Sequence, residues 1–249
     1  MHVLPGVLML LLAQHAAPQS APIRVLASNG VKAVLEKLQP ECEHAIGRPL
    51  AVEFNSTTAL RPRIDSGEAF DVVILTSEGI DELVKVGKIA GGTRADLARC
   101  GIGVGIRAGA PKPDIRTPEA LRRTLLGAKS ITYAQDGASR PHLEKMFDQL
   151  GIAGDLKSRI VMQQGSTRST AMVADGGAEI VMTLISEIVP VRGIELVGPL
   201  PAELQSFVRF AAGAGSHAEH PEPARALIRF LAGPATAPAY KSSGMEPAR

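Results

Sequence analysis

Short apolar runs alternate along this chain with segments that carry apolar residues at helical spacing. Residues 23–27, 50–54 and 70–75 have the composition of buried or half-buried strands, and a segment with the periodicity of an amphipathic helix follows each of them. Strands that alternate with helices in this way form parallel sheets covered by helices. The alternation therefore predicts an α/β fold.

A second series of the same kind begins after the Pro- and Gly-rich stretch at residues 108–113 and continues to residue 184. Such a stretch forms turns and suits a crossing between two lobes. We therefore predict two doubly wound lobes with a ligand cleft between them, the first comprising residues 22–99 and 205–249 and the second residues 100–204. Ligands in doubly wound folds bind beyond the carboxyl ends of strands, which places the predicted site in the cleft.

Four strand-like runs end in a short turn of small polar residues, and a helical segment begins directly after each turn. The start of a helix presents unpaired backbone N–H groups and the positive end of the peptide dipole. Helix starts that met in one cleft would bind an anion without a lysine or an arginine. The turns are Ser28-Asn29-Gly30, Ser56-Thr57-Thr58, Gly137-Ala138-Ser139 and Ser166-Thr167.

Each of these hydroxyl residues also has a simpler explanation, because Ser and Thr cap helices whether or not a ligand binds. The three successive hydroxyls of Ser56, Thr57 and Thr58 exceed what one cap uses, however, and the pattern recurs at separate strand ends. We therefore predict a site for a small anion or polar ligand. Its candidate residues are Ser28, Asn29, Ser56, Thr57, Ser139, Arg140 and Thr167.

Other classes of function find little support in the composition and motifs. The formal net charge is only +2, which argues against nucleic acid, and aromatic residues make up 3 %, too few for a site that stacks on planar rings. The common nucleophile, nucleotide and zinc motifs do not occur, so the sequence predicts neither an enzyme nor a cofactor. The pairs Cys42/His44 and His217/His220 could bind a metal, but such residues are common at solvated helix ends, and no metal site is predicted.

The amino-terminal residues 1–21 have the character of a secretory signal peptide. Residues 3–13 form an apolar run that is too short to cross a bilayer as a helix, which predicts export to the periplasm. No Lys or Arg precedes that run, so a mis-assigned start or an uncleaved anchor stays open as an alternative. The sequence does not define the cleavage site.

The sequence contains two cysteines, Cys42 in a predicted helix and Cys100 at the predicted start of a strand. An oxidising compartment would permit a disulfide, but sequence does not show whether the two Cα atoms come within bridging distance. We expect two unpaired, buried thiols.

Several short stretches, in this order, resemble the periplasmic solute-binding proteins of ABC importers with the type II fold, and within them the molybdate-binding protein family. They are VLAS at residues 25–28, FNSTTAL at 54–60, GEAFDVVI at 67–74, DGAS at 136–139, RFLAGP at 229–234 and GMEP at 244–247. The resemblance covers residues 23–247. It implies that two hydroxyl residues of the first lobe and backbone amides of the second hold a tetrahedral oxyanion.

By position, Ser28 and Thr57 match the hydroxyl pair of that family, and Ser139 and Thr167 match the positions that supply amide contacts. The resemblance further implies that the two lobes close by a hinge around a small anion. The closed protein then presents the anion to a membrane permease. On this basis we expect an exported, monomeric binding protein without a cofactor.

Two positions depart from the family and leave the ligand open. The family often places a tyrosine in the last strand of the second lobe, where this chain has Thr183 or Leu184, and Arg140 stands where a small residue is usual. The first prediction is a molybdate- or tungstate-like oxyanion. A small organic carboxylate, which a bidentate arginine would suit, is the alternative. The competing class is an enzyme or a sensor on the same scaffold, and a perturbed acid or base inside the cleft would favour the enzyme.

Overall fold

The computed structural model describes residues 21–248, so the predicted signal peptide lies outside it apart from Ala21. The first strands and helices follow the predicted alternation, and a helix begins close after each strand end. They are β1 (Ile23–Ser28), a 3-10 turn (Asn29–Val31), α1 (Lys32–Ile46), β2 (Leu50–Asn55), α2 (Thr57–Asp65), β3 (Val72–Thr76) and α3 (Ser77–Lys85).

The middle part of the chain begins with a long strand that the sequence predicted to start later, at Cys100, and continues with the predicted second series. Its elements are β4 (Ala95–Arg107), α4 (Pro118–Gly127), β5 (Ile131–Ala134), α5 (Arg140–Gln149), α6 (Ala153–Leu156), β6 (Ile160–Gln163), α7 (Ser166–Ala174), β7 (Ile180–Leu184), α8 (Ile185–Ile188) and β8 (Ile194–Pro199). The chain then returns through β9 (Phe207–Ala214), α9 (Pro221–Leu231), a 3-10 turn (Pro234–Thr236), α10 (Ala237–Ser242) and β10 (Glu246–Pro247).

The strands form one mixed sheet in the order β2-β1-β3-β9-β4-β7-β5-β6, with β8 and β10 paired to β4. The α/β class with two lobes is confirmed. The expectation of parallel sheets throughout is wrong, because β9 runs antiparallel to β3 and β4, and β4 runs antiparallel to β7 and β8. The parallel pairs are confined to β1 with β2 and β3, and to β5 with β6 and β7. The two long strands β4 and β9, which pair with each other, therefore run antiparallel to their neighbours in both halves of the sheet.

Strand β4 connects the two halves of the sheet. Gly101 pairs with Phe207 of β9, whereas Ile102 pairs with Leu184 of β7. The change of partner therefore falls between these adjacent residues. The lobe boundaries drawn from the sequence stay a prediction, and this change of partner lies close to the one drawn at residue 100.

The buried core extends across this connection and fixes the strand ends that face the cleft. Phe210 of β9 is fully buried, and a Cβ added at Gly30 would lie 2.4 Å from its ring and 3.0 Å from Leu184 of the second half. Only glycine fits this approach. The start of the first helical segment is therefore packed directly against both halves of the sheet.

Cys42 and Cys100 are both buried free thiols, and burial raises the pKa of Cys42 to about 12 and that of Cys100 to about 11. Cys100 lies in the middle of β4 rather than at the start of a strand. Between residues 21 and 248 no helix is both long and apolar enough to cross a bilayer.

Candidate functional site

The two predicted turns of the first lobe are helix starts capped by their own serines. Ser28 ends β1, and its Oγ accepts a hydrogen bond from the Gly30 N–H at 3.4 Å. Ser56 follows β2, and its Oγ accepts from the Ala59 N–H at 3.1 Å. Both serines are buried and have the extended backbone that directs a capping oxygen back toward the helix.

The two predicted turns of the second lobe are helix starts without a side-chain cap. Ser139 precedes α5 and is buried, but its side chain makes no capping hydrogen bond within the described structure. Helix α7 begins at Ser166, one residue before the predicted Thr167, and follows Gly165, whose φ of 78° is readily adopted only by glycine. At α7 the Gly165 N–H is thus left for another acceptor, whereas at α5 the Arg140 N–H donates to the Gly137 carbonyl at 3.1 Å and Pro141 has no N–H.

Asp136, in the loop after β5, accepts hydrogen bonds from both lobes. The Ser56 Oγ donates to Asp136 Oδ2 at 2.7 Å, and the Gly165 N–H donates to Asp136 Oδ1 at 2.8 Å. A carboxylate of the protein itself therefore lies between the starts of α2 and α7. It takes up donors of the kind that the sequence predicted for an external anion.

Glu187, in the first turn of α8, is the second carboxyl group of the cleft. The Ser166 Oγ donates to Glu187 Oε1 at 2.8 Å, and the Thr183 hydroxyl donates to Oε2. Burial raises the pKa of Glu187 above its ordinary value, and the charge of Asp136 raises it further, against the lowering effect of the two hydroxyls. An acid with a perturbed pKa thus lies inside the cleft.

Two cavities lie between the lobes, and we name each after its carboxyl group. The Glu187 cavity has a volume of about 200 Å³ and is lined by Asn29 and Lys32 from the first lobe and by Ser166, Thr167 and Glu187 from the second. Lys32 forms an ion pair with Glu36 at 2.7 Å on the rim. Residues with hydroxyl, amide and ammonium groups therefore line the cavity around the Glu187 carboxyl, together with the Glu36 carboxylate that pairs with Lys32.

The Asp136 cavity is larger, at about 570 Å³. Thr57 and Arg209 line it from the first lobe, and Asp136, Gly137 and His142 line it from the second. His142 is held by a hydrogen bond of 2.8 Å between its Nδ1 and the Ser206 Oγ. Asp136 also accepts a hydrogen bond from the N–H of Gly165, the residue before Ser166, so a contact within the second lobe links the linings of the two cavities.

The structure brings together some of the predicted site residues and not others. Asn29 and Thr167 share the Glu187 cavity, and Thr57 lines the Asp136 cavity. Arg140 lies elsewhere, because its Nε donates to Glu144 at 2.8 Å and its Nη1 donates to the Gln135 carbonyl at 2.9 Å. Neither contact crosses to the first lobe.

Sequence reasoning missed Asp136, Glu187 and Lys32. Asp136 stands in the DGAS stretch that carried the family resemblance, so its place at a strand end was a usable signal. Glu187 gave no comparable signal, because acidic residues are common in the first turn of any helix. Among residues 21–248 no three His, Cys, Asp or Glu side chains form a group that could hold a metal ion.

The chain matches a known protein family along most of its length. The family model described as bacterial extracellular solute-binding protein matches residues 23–246. The chain belongs to this family. This solute-binding protein is 32 % identical to the aconitate isomerase of a Pseudomonas species over 238 residues, which cover 93 % of this chain and 90 % of that protein.

Solved structures share the fold of this solute-binding protein at low sequence identity. The periplasmic molybdate-binding protein of Azotobacter vinelandii superposes with a TM-score of 0.77 at 17 % identity, covering 91 % of this chain and 100 % of that one. The L-phospholactate-bound PEB3, a protein of Campylobacter jejuni, superposes with a TM-score of 0.68 at 16 % identity, covering 90 % and 99 %. The bilobed fold is thus that of type II periplasmic binding proteins.

Proposed function

We propose that this solute-binding protein closes around a small anion in the periplasm and presents it to the permease of an ABC importer. The observation that carries the proposal is that residues of both lobes line the Glu187 cavity, so a ligand bound there would hold the lobes together. Hydroxyls and backbone N–H groups at helix starts supply the polar contacts. Export is supported by the family and by the predicted signal peptide at residues 1–21.

For the ligand we favour a small organic carboxylate over a molybdate- or tungstate-like oxyanion. A fully deprotonated tetrahedral dianion presents only acceptor oxygens, whereas Asp136 and Glu187 already place two carboxyl groups in the cleft. Like unit charges about 4 Å apart near a protein surface repel by roughly 4 kcal/mol. An organic acid can direct its carboxylates to the donors and its carbon skeleton to Asp136 and Glu187. The names of the Pseudomonas relative and of the phospholactate complex likewise refer to organic acids.

A thermal-shift series with molybdate, sulfate, citrate and trans-aconitate tests both parts of this proposal. A ligand present at about 100 times its dissociation constant adds roughly 2.7 kcal/mol to the free energy of unfolding. We expect a carboxylate to raise the melting temperature more than either oxyanion does. A shift with molybdate alone would restore the oxyanion, and the absence of any shift across a broad anion panel would argue against binding in the cleft.

A second candidate function is an isomerase that acts on an unsaturated carboxylate. Glu187 favours it, because a buried carboxyl group with a raised pKa inside a ligand cleft is suited to proton transfer. The relation to an aconitate isomerase points in the same direction. Incubation of the purified protein with trans-aconitate, followed by NMR, tests for turnover, and a protein that binds without turnover is a transport component alone.

A further inference from the structure

We propose that the Glu187 carboxyl group is the acid–base catalyst that moves a proton between two carbons of an unsaturated carboxylate bound in the Glu187 cavity. This assignment rests on the second candidate function. It goes beyond binding, because a solute-binding protein has no need of a proton-transfer group. It also names the residue that would distinguish an isomerase from a transport component on this scaffold.

The hydrogen bonds of Glu187 fix the carboxyl group and still leave it able to react. Among its described partners, Ser166 and Thr183 donate hydroxyl protons, one to each oxygen. A carboxylate has four lone-pair sites, so beside these two bonds and the one to the Leu184 backbone a site remains for a substrate proton. Neither hydroxyl donor neutralises the carboxylate as a lysine or arginine would. Glu187 is therefore held like a base rather than like a member of a structural ion pair.

The charged groups around Glu187 support this role. Burial raises the pKa of Glu187, and Asp136 adds to the rise, which moves the group toward the pH range in which acid–base catalysis is efficient. On the side of α1, Lys32 and Glu36 line the same cavity as an ion pair. On the side of β4, Cys100 lies against Ser186, the residue before Glu187 in α8. Burial raises the pKa of the Cys100 thiol to about 11, so the thiol is protonated.

The cavity also supplies anchors for the carboxylates of a substrate. Asn29, Thr167 and Lys32 line it around Glu187, and their side chains carry an amide, a hydroxyl and an ammonium group. The substrate carboxylates would take up these donors, and the carbon chain between them would face the Glu187 oxygens. Lys32 already pairs with a carboxylate, that of Glu36, so it can exchange one partner for another.

The step requires neither an oxidant nor a cofactor. The Glu187 carboxylate takes a proton from the methylene carbon beside the double bond, and the C–H electron pair becomes the new C=C bond. The former π pair moves to the far alkene carbon, where the substrate carboxylate delocalises the charge. The protonated Glu187 then returns its proton to that far carbon. One C–H bond breaks and another forms, the double bond migrates, and Glu187 regains its original state.

The test compares the wild-type protein with Glu187→Gln, and NMR follows the conversion of trans-aconitate while calorimetry measures its binding. The amide keeps the shape and accepts hydrogen bonds but cannot take a proton from carbon. We expect conversion to fall by about 100-fold or more, with the dissociation constant changed by roughly threefold or less. Glu203→Gln, at an exposed loop residue, should leave both unchanged.

Two further measurements cover the case in which Glu187→Gln does not fold. The shorter Glu187→Asp keeps a proton acceptor and should retain part of the conversion. The wild-type rate should fall on the acid side of the pH profile, with an apparent pKa above the ordinary glutamate range. Wild-type protein that binds trans-aconitate without converting it, or a Gln variant that converts it at the wild-type rate, would overturn the role of Glu187. Wild-type protein that neither binds nor converts trans-aconitate would overturn the proposed binding of this carboxylate as well.

Discussion

The helix starts of the two lobes share a sequence pattern but differ in what their serines do. In the first lobe, Ser28 and Ser56 accept hydrogen bonds from their own helices. In the second lobe, Ser139 and Gly165 occupy the capping positions of α5 and α7. Neither makes a side-chain capping hydrogen bond within the described structure. The first lobe therefore uses its serines as caps, whereas the starts of α5 and α7 in the second lobe have no side-chain cap.

The difference has a conformational cause. Ser56 has φ −68° and ψ 152°, the extended backbone in which a capping Oγ reaches the N–H three residues on. Ser139 has φ −76° and ψ −21°, which is helical, so its side chain does not reach back in this way. At α7 the capping position is occupied by Gly165, which has no side chain.

The largest expected effect separates Ser56 from Ser139. Ser56→Ala removes both the cap to Ala59 and the inter-lobe hydrogen bond to Asp136. We expect a loss of about 2–3 kcal/mol in the free energy of unfolding. Ser139→Ala, at a buried residue without a capping hydrogen bond, should cost roughly 1 kcal/mol or less. Urea denaturation of both variants measures the difference, and equal losses would show that the two lobes do not differ in this respect.

The sequence allowed the fold to be predicted better than the side-chain contacts of the site. The periodicity predicted the strand and helix alternation, because it depends on which face each segment buries. The turns at Ser28 and Ser56 were found for the same reason. Asp136 and Glu187 each acquire an essential partner from a residue distant in sequence, Ser56 for the first and Ser166 for the second. Local pattern carries no information about such pairs.

The next effect concerns Asp136, which lies where the two kinds of helix start meet. Asp136→Asn removes the negative charge but keeps a side chain that can accept from Ser56 or Gly165. Removing a like charge from an anion site should tighten the binding of citrate or trans-aconitate by about tenfold at low salt. Calorimetry checks this, with Asp148→Asn at the exposed end of α5 as the control. Weaker binding instead would mean that Asp136 accepts a hydrogen bond from the ligand.

A smaller effect should be visible in the pH dependence of stability. The native pKa of Glu187 is raised above the ordinary value of 4.5, so the native state holds this proton to higher pH than the unfolded chain does. The stability that this gives is fully present below the unfolded pKa and is lost as the pH rises through the native one. The melting temperature of Glu187→Gln, subtracted from that of the wild type, should therefore decline as the pH rises from 4.5. A flat difference would show that burial does not perturb Glu187.

The smallest effect is expected at Arg140, which the sequence placed in the ligand site. Its guanidinium group pairs with Glu144 on the same helix and with the Gln135 carbonyl, and the Glu144 side chain is 45 % exposed. Exposed pairs of this spacing contribute only about 0.3–0.5 kcal/mol. Arg140→Ala should therefore leave the dissociation constant for trans-aconitate within about twofold of the wild type, by calorimetry. A tenfold weakening would mean that the arginine leaves Glu144 when the ligand binds. The second lobe would then contribute a side-chain cation as well as backbone donors.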